Sequence, residues 1–307
     1  MDKAADIAKA AAALQHGGLV ILPTETVYGL AADAGNARAV AAVYEAKGRP
    51  AFNPLIAHVA DLATARRIAW FDDRAEQLAA AFWPGPMTLV LPIADETLVC
   101  DLARAGLDTV AVRAPAHPLA QALLAAFGGP LVAPSANRSG RPSPTTFADA
   151  LDETGAAAAA ALDGGPCVIG LESTVVSLLD APRLLRPGAV TRAEIEAVIG
   201  PLMEAEADAK RSPGRLTRHY APNLPLRLNV TEPRPDEVWL GFGAMGLPEP
   251  LNLSPVGDLA EAAAKLFAYL RAADRSTASG IAVAPIPDEG LGEAINDRLR
   301  RAAGFVG

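Results

Sequence analysis

Short β-type runs alternate with segments of helical periodicity through the first 200 residues of the chain. The helical segments are 3–15, 36–46, 72–82, 117–127, 145–153 and 191–199. The runs between them are GLVILPT, PLIAHV, MTLVLP, TVAVRAP, PLVAPS, STVVSLL and PRLLRP. Interleaved strands and helices are typical of an α/β domain with a central sheet. Several strands, as between 171 and 187, are separated by less than a helix, so we expect a mixed sheet and not a purely parallel one.

The length of 307 residues suits two domains. Charge, proline and glycine dominate 201–225, which predicts a linker. After it, LRLNV, EVWLGFG and GIAVAPI alternate with helical segments near 257–274 and 290–303. We therefore predict a first domain over 1–200 and a small second α/β domain over 226–307. An alanine tract, 156–161, is compatible with either a helix or a loop.

Composition excludes several classes of protein. The chain contains no run of about 18 consecutive apolar residues, so no membrane span is expected. The N-terminus carries Asp2 and Asp6 where a secretory signal has positive charge, and we expect a cytoplasmic protein. The two cysteines and four histidines are scattered without metal-type spacing, which predicts reduced thiols and no metal held by side chains. A net charge of −8 disfavours a protein that binds long nucleic acids.

Polar side chains follow the ends of at least five of the predicted strands. A hydroxyl in such a place is most often a helix cap or a turn residue. Their repetition favours a binding site, because ligands of open α/β sheets bind outside the strand ends. The candidate residues at these junctions are Thr24, Glu25, Thr26, Lys47, Arg49, Asn53, Thr109, Arg113, Ser135, Asn137, Ser143, Thr145, Glu172, Ser173, Thr174 and Arg186.

Cations in separate segments indicate an anionic ligand. Arg113 lies in an apolar strand, where an unpaired guanidinium would cost several kcal/mol, so it needs a carboxylate side chain or a ligand as partner. Lys47, Arg49 and Arg186 add three further cations, suited to phosphate or carboxylate oxygens. His58 also lies within a predicted strand, where a satisfied core histidine is the usual interpretation. Since the chain has no GxxxxGK[ST] loop and no nucleophile motif, a nucleotide plus a small carboxylate is the expected ligand pair.

The glycine-rich segment Gly241–Gly246, GFGAMG, matches the dinucleotide fingerprint GxGxxG. That fingerprint requires a helix to open at the glycines. Three prolines, Pro248, Pro250 and Pro255, follow instead, so no helix is expected before about residue 257. We therefore expect no dinucleotide site there.

Seven segments resemble, in order and spacing, the YrdC-like threonylcarbamoyl-adenylate synthases. They are ILPTETVYGLAADA, KGRPAFNPLIAHV, FWPGPMTLVL, GLDTVAVRAPAHP, APSANRSGRPSPT, GLESTVV and LLRPGA. SPGRLTRHYAPN and GLGEAINDRLRRAAG resemble the long, two-domain form of that family. The resemblance implies a twisted, open, mixed sheet with a concave cavity and a small C-terminal Rossmann-like domain. It also implies synthesis of L-threonylcarbamoyladenylate from L-threonine, bicarbonate and ATP with Mg²⁺, with release of pyrophosphate. Transfer proteins and tRNA would act downstream, to modify the adenosine next to the anticodon.

The resemblance also implies residue roles. Threonine would be held by Thr24, His58, Arg113, Ser173 and the backbone at Ala133. ATP would be held by Arg49, Asn53, Thr109, Ser135, Ser143 and Arg186, with Lys47 close to the phosphates. Lys47 and Arg49 would act catalytically on the developing pyrophosphate charge. Tyr220 matches a linker tyrosine that reaches across the nucleotide, which predicts that 201–225 acts as a lid.

Two alternatives stay open from the sequence. One is a double-stranded-RNA or tRNA-binding module with the same fold and no synthase chemistry, which the acid excess disfavours. The other is a carbamoyl-transfer domain of the hydrogenase-maturation type, whose acylphosphatase-like and zinc-containing regions this chain lacks. One departure from the resembled family is Arg215, where a methionine is common.

Overall fold

The computed structural model of the protein describes residues 3–50, 52–204, 219–244 and 251–304. Within them a ten-stranded sheet and a three-stranded sheet form, each covered by helices. The strands of the large sheet are β1 Leu19–Leu22, β2 Gly29–Asp33, β3 Ile56–His58, β4 Met87–Pro92, β5 Thr109–Arg113, β6 Leu131–Val132, β7 Ala158–Ala161, β8 Thr174–Ser177, β9 Arg183–Arg186 and β10 Met203–Glu204.

The large sheet is mixed, as the short strand connections predicted. Its order is β10-β9-β8-β4-β5-β3-β6-β2-β1-β7. The pair β3–β5 is parallel, whereas β4 runs antiparallel to β5 and parallel to β8. This arrangement brings the ends of β3, β5 and β8, from distant parts of the sequence, to the middle of one sheet.

Ten α-helices occur among the described residues, and the six predicted for the first domain are present within one or two residues of their expected bounds. They are α1 Lys3–Gln15, α2 Ala37–Lys47, α3 Leu62–Ile68, α4 Asp73–Phe82, α5 Asp101–Arg104, α6 Pro118–Phe127, α7 Phe147–Thr154, α8 Arg192–Ile199, α9 Leu259–Asp274 and α10 Leu291–Ala302. Side-chain caps fix several starts. Asn36, for example, accepts hydrogen bonds from the backbone N–H groups of Arg38 and Ala39 before α2.

Alternation along the strands divides the core of the large sheet into two layers. In β1, Ile21 joins the core on one face, with Leu30 and Val43, whereas Val20 joins Leu14 and Leu123 on the other. Successive strand residues point to opposite faces, so both faces of β1 are apolar and both are covered by helices.

Three strands and two helices of the large domain had no counterpart in the sequence predictions. The strands are β2, β7 and β10, and the helices are α3 and α5. The alanine tract was expected as a helix or a loop, and this expectation is wrong for most of it: Gly155–Ala157 is a 3₁₀ turn and Ala158–Ala161 is β7. Parallel pairing with β1, continued by the hydrogen bond from Leu162 N–H to the Ile21 carbonyl, overrides the helical propensity of alanine.

The small sheet is parallel and has the order β11-β13-β12. Its strands are β11 Leu226–Arg227, β12 Glu237–Leu240 and β13 Gly280–Val283, and α9 connects β12 to β13. No helix opens at the described part of GFGAMG, and the next helix begins at Leu259; Met245 and Gly246 lie outside the described residues. Residues 205–218 of the predicted linker, with Arg215, also lie outside them, whereas β10 joins the large sheet.

Close packing and ion pairs join the large domain, which contains the ten-stranded sheet, to the second domain, which contains the three-stranded sheet. Val27 and Leu171, from the large domain, belong to the same apolar cluster as Leu266 and Ile295 of α9 and α10. Gly170 lies so close to α9 that a Cβ atom there would be 2.6 Å from the Ala263 carbonyl oxygen. The second domain is therefore packed directly against segments that follow strands of the first.

Leu89→Ala tests the central position assigned to β4. Leu89 is fully buried in the middle of the large sheet. The cavity left by the substitution should lower the free energy of unfolding by about 2–5 kcal/mol, measured by chemical denaturation. Leu151→Ala on the outer side of α7, where the leucine is 41% exposed, should cost about 0.5 kcal/mol or less. Equal losses from the two variants would contradict this placement.

Candidate functional site

A concave cavity lies where the ends of several strands meet, as expected. The space enclosed by its lining, including the open mouth, is about 510 Å³. Eight of the predicted site residues line it: Arg49, His58, Arg113, Ala133, Ser135, Ser173, Arg186 and Tyr220. Three of these are arginines and one carboxylate, Glu172, faces them across the lining, so the cavity is suited to an anion.

Arg113 is fixed at the cavity wall by the segment that follows β1. It is 4% exposed, and its Nη2 lies 2.6 Å from the Glu25 Oε1 atom. Its Nη1 donates to Thr26 Oγ1 at 2.9 Å and its Nε to the Gly85 carbonyl at 3.2 Å. The partner that a buried guanidinium requires is thus a carboxylate side chain in this structure. Burial opposes ionisation of Glu25, but Arg113 outweighs it, and the pKa of Glu25 lies below its usual range.

His58 lies beside Arg113 because β3 and β5 are parallel neighbours and these two residues are register partners. Its Nδ1 is 3.1 Å from the Ile56 carbonyl oxygen. Burial, reinforced by the charge of Arg113, lowers the pKa of His58 to about 3. The imidazole is therefore neutral near neutral pH and can exchange hydrogen bonds with a ligand without adding charge.

Arg49 reaches the cavity because α2 ends in a tight reversal. Gly48 has φ +58°, a left-handed conformation that favours glycine, and its N–H and that of Arg49 bond back to the last turn of α2. The Arg49 Nη2 donates to the Pro54 carbonyl at 3.2 Å, while its Nε has no hydrogen-bond partner in the described structure. Burial lowers the pKa of Arg49 to about 10, so it stays a cation near neutral pH.

Arg186, at the end of β9, is the third arginine of the cavity lining. Its Nε and Nη2 donate to the Ser173 carbonyl at 3.1 and 2.8 Å, and Nη2 also reaches Ser173 Oγ at 3.1 Å. Burial lowers the pKa of Arg186. Ser173 Oγ lies in addition 2.7 Å from Thr88 Oγ1, so the hydroxyl is held between two neighbours.

Lys47 does not line the cavity, although it is the last residue of α2. It is 3% exposed, and its ammonium donates to the carbonyl oxygens of Ser135 and Asn137. Burial, followed by the charge of Arg49, holds the pKa of Lys47 well below its usual value. In this structure Lys47 fixes the turn that carries Ser135 into the cavity.

Four other predicted site residues lie behind or away from the lining. Thr24 Oγ1 accepts hydrogen bonds from the backbone N–H groups of Thr26 and Val27 and so stabilises the turn formed by these residues. Ser143 donates to Glu172, one layer behind the cavity surface. Asn53 is buried beside Arg49, whereas Thr109 begins β5, about 13 Å along the strand from Arg113.

Tyr220 and His219 close the cavity from the segment that precedes the small sheet. The two rings are 4.0 Å apart and nearly perpendicular. Tyr220 is 1% exposed and has φ +61°, which costs a non-glycine residue roughly 1–2 kcal/mol. Burial holds the pKa of His219 well below its usual value, and its Nδ1 lacks a hydrogen-bond partner in the described part of the chain.

Thr26 and Glu172, two of the candidate residues at the strand junctions, also line the cavity, although no ligand was assigned to them. The lining residues that the sequence predictions missed are Val27, Pro54, Leu55, Ile56, Pro134 and His219. Most are apolar neighbours of predicted residues, which a search for polar junctions does not select. Arg298 of α10 was also missed, although Ile295, Arg298, Leu299 and Ala302 follow helical spacing and place an arginine on the apolar face.

Other candidate sites are few among the described residues. They contain no group of three or more His, Cys, Asp or Glu side chains able to hold a metal ion. None of their helices is long and apolar enough to cross a membrane. A second cavity of about 480 Å³ lies between β13 and α10, lined in part by Asn229, Asp288, Asn296 and Arg300.

Comparison with known proteins assigns this architecture to a family. A family model described as "Telomere recombination" matches residues 12–188, and one described as "Threonylcarbamoyl-AMP synthase, C-terminal domain" matches 190–304. The threonylcarbamoyl-AMP synthase of Bacillus subtilis is 41% identical, over 97% of this chain and 93% of its own length. The chain belongs to the threonylcarbamoyl-AMP synthase family. Its members are nucleotidyltransferase-type enzymes, and the predicted family and fold class are confirmed.

Two solved structures of the Pyrococcus abyssi protein Sua5 share the fold of this synthase-family chain. One is described as a complex with L-threonine; it is 38% identical, with a TM-score of 0.89 over 97% of this chain and 94% of the other. The second is a variant in which a histidine and the adjacent tyrosine are replaced by alanine, with 38% identity and a TM-score of 0.88 over 97% and 93% of the two chains.

His58→Asn tests the neutral state of the buried imidazole. Since folding lowers the pKa of His58 to about 3, the unfolded chain binds the proton more readily below about pH 6.5. Wild-type stability attributable to His58 should therefore decrease as the pH falls from about 6.5 towards 3, by up to about 1.4 kcal/mol per pH unit. Denaturation at several pH values should give a wild-type-minus-variant difference that shrinks with acidification. A constant difference would contradict the buried, neutral state.

Gly188→Ala tests the tight packing behind Ser173. A Cβ atom at Gly188 would lie 2.5 Å from the Thr174 nitrogen and 2.6 Å from the Glu172 carbonyl oxygen, so the backbone has to shift. We expect a loss of about 1–3 kcal/mol in the free energy of unfolding and weaker ligand binding. Gly35→Ala is the matched control, because its Cβ atom would make contacts no closer than 3.4 Å. Wild-type stability in both variants would contradict the packing described.

Proposed function

We propose that this chain joins L-threonine, bicarbonate and ATP into L-threonylcarbamoyladenylate and releases pyrophosphate. The threonine amine and bicarbonate form a carbamate with loss of a water molecule, and an oxygen of that carbamate attacks the α-phosphorus of ATP. The bond from that phosphorus to the bridging oxygen breaks, and pyrophosphate leaves with its electrons. Transfer proteins would then place the threonylcarbamoyl group on tRNA.

The observation that carries the proposal is Arg113, a buried cation at the wall of the cavity. Glu25 and Thr26 each hold one terminal nitrogen of its guanidinium in place, so the group is fixed before a ligand arrives. A fixed guanidinium suits a carboxylate such as that of threonine. His58 next to it, with Ala133 and Ser173 in the same lining, completes the proposed threonine subsite. Thr24 would contribute through the turn that carries Thr26.

ATP is proposed to occupy the part of the cavity between Arg49, Arg186 and Tyr220. The two cations would face its phosphates, and Arg49 would stabilise the charge that develops on pyrophosphate. Asn53, Ser135 and Ser143 lie on or directly behind this part of the cavity, and Lys47 would act through the 135–137 turn it now holds. Thr109 stays a prediction, since it begins β5 at the end remote from Arg113.

Magnesium would enter with the substrate. Mg²⁺ keeps several waters and binds through one or two carboxylates together with substrate phosphates. Because the described residues form no acidic cluster, we expect the ATP phosphates to carry the ion. The described residues would contribute charge and position, not a dedicated metal cage.

The proposed lid rests on His219 and Tyr220. In the related Sua5 variant a His-Tyr pair is replaced by alanine, and this sequence has one such pair. Here both side chains are buried and line the cavity. A closed aromatic cover would exclude water from the labile carbamate, which a reaction without a protein nucleophile needs.

Arg113→Ala tests the proposed function through pyrophosphate release from ATP, measured with threonine and bicarbonate each omitted in turn. Wild type should require both. The variant leaves the threonine carboxylate unpaired, so its kcat/KM for threonine should decrease about 100-fold or more. Arg104→Ala is the control, because Arg104 is equally buried but contacts Val99, Asp101 and Leu107 away from the cavity.

The control should lose stability and keep the wild-type threonine dependence. Release by wild type that is indifferent to threonine would overturn the proposed function. Salt-sensitive RNA binding without ATP turnover would favour the RNA-binding alternative instead.

A further inference from the structure

Arg298 of α10 belongs to the second domain and is completely buried, with 0% of its side chain exposed. It lies on the apolar face of α10 with Ile295, Leu299 and Ala302, each of which is also buried. A guanidinium in that position is expensive unless it is paired and hydrogen-bonded. The contacts that compensate it therefore indicate what the residue is for.

The guanidinium contacts two residues of the first domain and one neighbouring residue of α10. Nε lies 2.9 Å from Glu172 Oε2, and Nη1 donates to the Pro187 carbonyl at 2.9 Å. Asp297 Oδ2 accepts from Nη1 at 2.7 Å. Burial lowers the pKa of Arg298, but Tyr220, Glu172 and Asp297 outweigh it, and the group stays charged.

Two of the residues that Arg298 contacts line the cavity. Glu172 lines the cavity, and its other oxygen accepts the hydroxyl of Ser143. The guanidinium carbon of Arg298 lies 5.3 Å from the centre of the Tyr220 ring, within cation–π range. One side chain of the second domain thus touches both a carboxylate of the first domain and the aromatic residue that covers the cavity.

Tyr220 needs such support. Its backbone has φ +61°, and its ring is held between Arg298 and Phe267, whose ring centre is 5.4 Å away. Both of these side chains belong to the second domain, from α9 and α10. Without them the strained backbone conformation would have fewer contacts to maintain it.

We infer that Arg298 is a positioning residue through which the second domain sets the ATP part of the cavity. The inference rests on the proposed function. Arg298 acts on Ser143 through Glu172 and contacts the ring of Tyr220 directly, and both Ser143 and Tyr220 are proposed to contact ATP. Arg113, the proposed partner of the threonine carboxylate, is held separately by Glu25, Thr26 and Gly85.

This separation gives a kinetic signature that a merely structural role would not produce. Loss of Arg298 should raise the KM for ATP much more than the KM for threonine. A general loosening of the fold would affect both substrates alike. The second domain would then influence catalysis through one ion pair and one ring contact.

The test is steady-state pyrophosphate release by full-length Arg298→Met, with the KM for each substrate measured separately. We expect the KM for ATP to rise about tenfold or more and the KM for threonine to change about threefold or less. Arg298→Lys keeps the charge beside Glu172 and should recover part of the ATP affinity.

Arg271→Met is the matched control. Arg271 is also a buried arginine of the second domain, and it pairs across the domain boundary with Glu153 at 2.9 Å. Its partners Glu153 and Pro142 do not line the cavity. The control should lower the melting temperature by a similar amount while keeping the KM for ATP within about threefold of wild type.

A double-mutant cycle with Glu172→Gln adds a second readout. The effects of Arg298→Met and Glu172→Gln on the KM for ATP should be non-additive because the two residues share one path, whereas those of Arg271→Met and Glu172→Gln should add. The inference is overturned if Arg298→Met and Arg271→Met change the KM for ATP alike, or if the KM values for both substrates rise together. If wild type itself releases no threonine-dependent pyrophosphate, the proposed function fails first, and unchanged calorimetric ATP binding in Arg298→Met would then overturn this inference separately.

Discussion

The buried cations around the cavity are the constraint on which the rest of the site depends. Arg113 and Arg186 are almost fully buried and Arg49 is partly buried, and a guanidinium that is removed from water without partners would be costly. Glu25 pairs with Arg113, and Glu172 and Asp297 lie near enough to Arg186 to interact with its charge, while backbone carbonyls supply most other contacts. The cavity therefore retains a positive character that an anionic ligand can complete.

The same constraint explains why turns, and not standard helices or loops, carry the site. Carbonyl oxygens can face a guanidinium only where the backbone leaves regular hydrogen bonding. The carbonyls that accept from the cavity arginines belong to Asn53, Pro54, Gly85 and Ser173, and all four residues lie outside helices and strands. Glu172 connects this layer to the second domain through Arg298, so the two domains share one electrostatic network.

The sequence was most informative where a polar residue interrupts an apolar pattern. Arg113 in TVAVRAP was found in this way, and it is buried with each guanidinium nitrogen hydrogen-bonded. The mixed sheet followed from the short connections between strands. Helix positions followed from periodicity, and the structure adds the caps, such as Asn36, that fix their starts.

What the sequence could not provide is long-range pairing. The partner of Arg113 is Glu25, 88 residues away. Glu25 was a candidate at its own strand junction, but nothing in the sequence pairs it with Arg113. The alanine-rich segment becomes strand β7 because it pairs with β1, and the helix propensity of its residues carries no information about that pairing. Lys47 was expected to face phosphates, yet a nearby turn captures its ammonium, because the choice between a ligand and two carbonyls depends on distances that only the fold sets.

The most direct test of the account is a crystal structure of the chain with L-threonine and a non-hydrolysable ATP analogue. We expect the threonine carboxylate within hydrogen-bond distance of Arg113, and phosphate oxygens beside Arg49 and Arg186 under Tyr220. Both ligands would then lie in the cavity of the large sheet. Binding of either ligand in the cavity between β13 and α10, with Arg113 paired with Glu25 and in contact with no ligand, would contradict the assignment of the site.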